Sequence, residues 1–170
     1  MIILRSSPAA WPLGAMVLLF AASCSDSSGL PGGPSQQAPV VSDPHVLVGG
    51  FSVSGLVVEG TDQPSLFGVR VHAPSGLPSI RRVVLQYSQP GPNHHGGPMM
   101  GGFNGTTLCY DDGTHGDDIP GDGIYHYMDP DQNIGCHGVD APPGDYQYSF
   151  WSEDVYGQRS NTASITITRR

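Results

Sequence analysis

Lysine is absent from this 170-residue sequence, and glutamate is nearly so. The seven basic side chains other than histidine are all arginines, and the formal net charge is −8. With that charge and no basic run, nucleic acid is excluded as a partner. After the first residues, no stretch repeats apolar residues with the period of an α-helix. The aspartates stand beside glycine and proline, as they do in turns. These absences together favour a β protein.

The start of the chain has the pattern of an export signal. Arg5 precedes a short apolar run, residues 13–22, and small residues lead from that run to Cys24. Residues 1–23 resemble a bacterial lipoprotein signal peptide. The resemblance implies that Cys24 carries lipid and anchors the chain in a membrane, and Ser25 is similar to an outer-membrane sorting context. Ordinary secretory cleavage at the same small residues is the alternative.

Residues 24–44 are dominated by Ser, Gly, Pro and Gln, so they can bury almost nothing. We predict a disordered linker there and a single domain over residues 45–170. Within the domain, apolar and polar residues alternate in short runs between turn signals. The predicted strands are residues 51–59, 66–73, 80–87, 106–110, 124–128, 146–151 and 164–168. Strands of this length and spacing predict an all-β sandwich.

The most chemically distinctive stretch is residues 111–127, DDGTHGDDIPGDGIYHY. Its five aspartates are Asp111, Asp112, Asp117, Asp118 and Asp122. Interspersed glycines let the backbone fold back, so several carboxylates can meet at one calcium ion. Gly113 and His115 hold the third and fifth positions of a twelve-residue loop counted from Asp111, so this is not an EF-hand. A solvated turn in which aspartates cap their own backbone amides is the alternative.

Two segments carry a family resemblance. The acidic stretch resembles the DDGT-x-GD-x-x-x-GDG-x-Y segment of immunoglobulin-like or fibronectin type III-like domains in bacterial surface and secreted proteins. The tail PPGDYQYSFWSEDVYGQRSNTASITIT is similar to the last two strands of such domains. The resemblance implies a single immunoglobulin-like antiparallel β-sandwich in the cell envelope. It also implies a non-catalytic structural or binding module, used for adhesion, as a spacer, or for contact with protein or carbohydrate.

Three cysteines are present. If lipid occupies Cys24, then Cys109 and Cys136 remain, and they bracket the acidic stretch. In an oxidising compartment we predict a disulfide between them, with two free thiols as the alternative.

A second candidate metal site lies in residues 93–103, NHHGGPMMGGF. His94, His95, Met99 and Met100 offer imidazole and thioether ligands, which suit copper, and imidazole also suits zinc. The alternative function is therefore a periplasmic soft-metal-binding lipoprotein. No HExxH or CxxC spacing supports it, and a flexible glycine-rich loop is the competing interpretation.

Catalysis has no support in the sequence. Residues 50–54 lack the final glycine of a nucleophile elbow, and the aspartates crowd one turn instead of facing each other across a cleft. Trp151 and the tyrosines near it are candidates for an aromatic face that contacts sugar or protein. Aromatics that simply cover a sheet edge are the alternative.

Overall fold

The computed structural model describes residues 37–57, 60–90, 103–130, 134–136, 138 and 141–170. These residues form nine β-strands and one short 3-10 helix, Leu77–Ser79, and no α-helix occurs among them. The strands are β1 Val40–Val48, β2 Phe51–Val53, β3 Gly55–Val57, β4 Ser65–His72, β5 Ile80–Gln89, β6 Phe103–Cys109, β7 Ile124–Asp129, β8 Gly144–Asp154 and β9 Ala163–Arg169.

The strands form two packed sheets. The four-stranded sheet has the order β2-β1-β4-β7, and the five-stranded sheet has the order β3-β9-β8-β5-β6. The predicted all-β sandwich is therefore confirmed. One pairing differs from the antiparallel expectation, because β3 runs parallel to β9. Gly55, at φ 76°, turns the chain directly after β2, and β3 continues into the other sheet.

The core lies between the two sheets and follows the predicted alternation. In β4, Phe67, Val69 and Val71 are buried, and in β5 Val83 and Leu85 are. The five-stranded sheet adds further fully buried side chains, which are Tyr146, Tyr148, Phe150 and Ile167. Because successive strand residues point to opposite faces, the intervening side chains lie on the outer surfaces of the sandwich.

Two parts of the strand prediction are wrong beyond small shifts of the strand ends. Residues 51–59 were predicted to form one strand, but β2 and β3 are separate short strands that belong to different sheets. Strand β1 was not predicted, and its residues 40–44 fall inside the predicted linker. Its register shifts between Ser42 and His45, and Asp43 has a φ of 52°. This bulge accommodates Pro44, which cannot donate a ladder hydrogen bond.

The described part of the chain contains no helix that is long and apolar enough to cross a membrane. The predicted signal peptide, Cys24 and most of the predicted linker lie outside the described residues.

Candidate functional site

The acidic stretch is the connection from β6, in the five-stranded sheet, to β7, in the four-stranded sheet. Tyr110 and His126 close its base with a pair of backbone hydrogen bonds, each 2.8 Å long. From there the loop folds back over the outer face of the four-stranded sheet. Gly116 comes so close to that face that a Cβ placed there would lie 2.4 Å from Leu66 Cδ1. The loop is therefore packed against the sheet on one side.

Three of the five predicted aspartates converge. Asp111, Asp117 and Asp122 each place a carboxylate oxygen within 4.8 Å of the other two. Asp117 is buried, Asp111 is partly buried and Asp122 is exposed, so the cluster opens to solvent on one side. The predicted acidic site is therefore a group of three carboxylates instead of five.

Backbone amides orient these carboxylates. Asp111 Oδ1 accepts hydrogen bonds from the amides of Gly121 (2.6 Å) and Asp122 (3.2 Å), and its Oδ2 accepts one from Gly123 (3.0 Å). Asp117 Oδ2 accepts the Gly113 amide at 2.7 Å. These bonds tie the two ends of the loop together.

Asp117 is the most enclosed member of the cluster, since its side chain is only 2% exposed. His126 Nδ1, on β7, lies 3.6 Å from Asp117 Oδ1 and has no hydrogen-bond partner among the described residues. The ring of His126 also meets that of His45 edge-on, at 5.6 Å between centroids. The sequence alone did not predict the Asp117–His126 pair, because the two side chains come together only when the loop folds back onto β7.

Asp112 and Asp118 do not join the cluster. Asp112 Oδ1 accepts a hydrogen bond from the Thr114 amide at 2.9 Å and another from the Thr114 hydroxyl. The hydroxyl bond lowers the pKa of Asp112 below its ordinary value. Asp112 thus caps a turn, as the alternative interpretation of the stretch expected, and Asp118 is exposed on the loop surface.

The donor set of the cluster fits calcium. Calcium–oxygen distances are about 2.3–2.6 Å, so two ligands of one ion lie no more than about 5 Å apart, and the three aspartates meet that limit. A carboxylate has about four lone-pair sites, and the backbone bonds described above leave at least one on each aspartate. Beside the site, burial, and then the charge of Asp111, raises the pKa of Tyr125 to about 12.

The predicted soft-metal residues His94, His95, Met99 and Met100 lie outside the described residues. Of the histidines that are described, His115 stacks on Tyr110 with 4.1 Å between ring centroids. Within the described residues, no histidine or cysteine belongs to a group of three metal-binding side chains.

The predicted disulfide is not formed: Cys109 and Cys136 are both buried free thiols. The Cys136 thiol lies beside the Tyr148 hydroxyl. Burial raises the pKa of Cys109 to about 12 and that of Cys136 to about 11.

The predicted aromatic face is reduced to one ring. Tyr146 and Tyr148 point into the core, where their hydroxyls donate to the carbonyls of Pro142 (2.9 Å) and Ile134 (2.7 Å). Trp151 alternates with them and lies on the outer face of the five-stranded sheet.

Comparison with known proteins gives no family: no family model matches the chain, and no curated protein matches it significantly. Its function is therefore inferred from the residues described above.

Proposed function

We propose that the protein is an exported, lipid-anchored β-sandwich that serves as a non-catalytic structural or binding module of the cell envelope and is stabilised by calcium. The observation that carries the calcium part is the convergence of Asp111, Asp117 and Asp122 within 4.8 Å. The export signal and Cys24 support the anchoring part. The outer membrane is the proposed location.

Calcium is the expected ligand because the three carboxylates repel one another, and the repulsion is strongest at the buried Asp117. A divalent cation would offset that repulsion with hard oxygen ligands, and water would complete its coordination. When bound, the ion would hold the two ends of the loop together. Because the loop joins a strand of each sheet, the ion would also stabilise the packing between the sheets.

Calorimetry tests the calcium site. A ligand present at ten times its Kd adds about 1.4 kcal/mol to the free energy of unfolding. For a domain of this size, that gain raises the melting temperature by about 4–7 °C. Asp117→Asn should abolish the increase because it removes the buried carboxylate. Asp118→Asn is the matched control, since it removes the same charge from the neighbouring exposed position and should keep the increase.

Two outcomes would contradict the calcium site. One is a melting temperature that neither calcium nor a chelator changes. The other is an equal loss of the calcium effect in both variants, which would indicate diffuse charge screening in place of a site. Copper and zinc in the same calorimeter test the alternative function. A large stabilisation by either metal that disappears in a His94→Ala, His95→Ala double variant would favour the soft-metal lipoprotein.

The lipid anchor has its own test. Cells that express the full chain and are fed a radiolabelled fatty acid should label it, and Cys24→Ser should remove the label and move the protein out of the membrane fraction. Ser25→Ala keeps the acceptor thiol and should stay labelled. An unlabelled wild-type chain recovered in soluble form outside the cytoplasm would instead establish ordinary secretory cleavage.

A further inference from the structure

The outer face of the five-stranded sheet carries side chains in rows that run across β8, β5 and β6. Residues in one row are register partners, and neighbouring rows are two residues, or about 7 Å, apart along the strands. From one end to the other, the rows are Glu153–Arg82, then Trp151–Val84–Leu108, then Ser149–Gln86–Thr106, then Gln147–Ser88–Asn104. The rows are therefore charged, apolar, polar and polar in turn.

The two polar rows contain only amides and hydroxyls. Their side chains border an open concavity of about 500 Å³. On β9, Ser164 continues one of the rows, and its hydroxyl lies 2.8 Å from that of Ser149. Amides and hydroxyls both donate and accept hydrogen bonds, as sugar hydroxyls do. A neutral hydroxylated ligand can bind these rows without burying an unpaired charge.

The apolar row is a strip beside the polar rows. Trp151 and Leu108 flank Val84, which is only 6% exposed although it points outward. Leu108 itself is 42% exposed. Arg159 and Arg82 lie over the Trp151 ring, with their Cζ atoms 4.0 and 5.2 Å from its centroid. Leu108 is therefore the member of the strip that offers contact to the C–H faces of sugar rings.

The charged row joins one glutamate to arginines. Glu153 pairs with two of them: its Oε1 lies 3.2 Å from Arg81 Nη1, and its Oε2 lies 3.2 Å from Arg82 Nε. A register shift at Arg81 lets both arginines reach the same carboxylate. Arg159 lies over Trp151, with its Cζ 4.0 Å from the ring centroid, and it has no ion pair among the described residues.

The three arginines differ in what surrounds them. Asp111 and Asp112 border the arginines on the β6 side, where they share a groove with Arg81 and Arg82. Arg159 lies on the opposite side, toward β9, and is the arginine best placed for an external anion. Stacking on Trp151 restricts its guanidinium and so favours recognition of a planar carboxylate.

We propose that this outer face binds an acidic polysaccharide, that is, a chain of sugar rings bearing carboxylates. The polar rows would bind hydroxyls, the apolar strip would contact ring faces, and Arg159 would pair with a carboxylate. The four rows extend over about 20 Å, which is room for several rings. This inference rests on the proposed binding role and names its partner, but it does not depend on calcium or on the lipid.

The test uses the full-length chain in detergent and two forms of one polymer. Polygalacturonate carries a carboxylate on each ring, and its fully methyl-esterified form has the same rings without the charge. Isothermal titration should show binding of the acidic form that is about tenfold tighter than that of the ester and that weakens as salt is added. Polyglutamate provides carboxylates without sugar rings and should bind no better than the ester.

Two variants and a matched control assign the binding to this face. Arg159→Gln should lower affinity for the acidic polymer about tenfold without changing affinity for the ester or the melting temperature. Gln147→Ala should lower the affinity for both polymers. Arg70→Gln removes an exposed charge from the opposite sheet and should leave the affinity for both polymers unchanged. The proposal is overturned if neither polymer binds, if Arg70→Gln and Arg159→Gln reduce binding equally, or if polyglutamate binds more tightly than polygalacturonate. Any of these results leaves the calcium and lipid tests unaffected.

Discussion

Gly116 is the residue that fixes how the acidic loop lies on the sandwich. Its φ of 87° belongs to the left-handed region, and its missing side chain makes room for Leu66 and Met128 on the outer face of the four-stranded sheet. Asp117 follows directly and is thereby placed beside His126. The backbone conformation of Gly116 thus helps to determine where the buried carboxylate of Asp117 lies.

Replacement of Gly116 by alanine should be costly for two reasons. The left-handed conformation costs a non-glycine residue about 1–2 kcal/mol, and a methyl group there would also displace the ends of the Leu66 and Met128 side chains. Gly121→Ala is the matched control, because Gly121 has a similar φ of 79° but no atom within 4 Å of the point where an alanine Cβ would lie. Urea unfolding in the presence of a chelator measures the free energy of unfolding of both variants without any contribution from calcium. Equal losses of stability would show that the loop does not press on the sheet.

At the scale of elements, alternation in the sequence is enough to place most of the sheet. Strands β4, β5 and β9 were predicted with the correct buried face, because one side of each packs on the core and the other meets water. In β8, tyrosines that were predicted to lie on an outer aromatic face point inward. Strand β1 was missed because Ser42, Asp43 and Pro44 have the composition of a linker. Its place is set by tertiary contacts instead, including the side chain of Asn161, which bonds both the amide and the carbonyl of Val41 at 2.9 Å.

In the acidic loop, too, the local sequence predicted some features, and features that depend on tertiary contacts were missed. Composition identified the five aspartates and the glycines that bend the chain, and the capping role of Asp112 is local to its turn. Which aspartates converge depends on where the loop folds back onto β7, and no local pattern encodes that contact. The predicted disulfide failed for a related reason: the spacing of two cysteines along the chain carries no information about where the fold places their side chains, and both are buried free thiols.

At the scale of the whole molecule, several tyrosine and cysteine side chains that can ionise lie inside the sandwich. The hydroxyls of Tyr146 and Tyr148 and the thiols of Cys109 and Cys136 all lie in the core. Burial raises the pKa of Tyr146 to about 12 and that of Tyr148 well above its ordinary value of 10.0. The folded state therefore keeps protons on groups that the unfolded chain would release in alkali.

This difference predicts alkaline unfolding with a definite sign. In the unfolded chain the thiols and tyrosines ionise near their ordinary pKa values of 9.0 and 10.0, whereas folding raises the pKa of Cys136 to about 11 and those of Cys109, Tyr125 and Tyr146 to about 12. At pH values between the unfolded-state and the folded-state pKa values, the folded state binds more protons than the unfolded state. The free energy of unfolding therefore falls as the pH rises. Below about pH 9 the contribution of these groups is fully present.

Urea midpoints measured from neutral pH to about pH 11 test this, with tyrosinate absorbance recorded in the same samples. The midpoint should hold steady up to about pH 9 and then decline, and part of the tyrosinate signal should appear only on unfolding. Tyr146→Phe should make the decline shallower, because one proton that distinguishes the folded from the unfolded state is removed. It also deletes the hydrogen bond to Pro142 at every pH, so the comparison rests on the slope and not on the midpoint itself. A midpoint that stays constant over the whole range, or tyrosines that all ionise before unfolding, would mean that water reaches the space between the sheets.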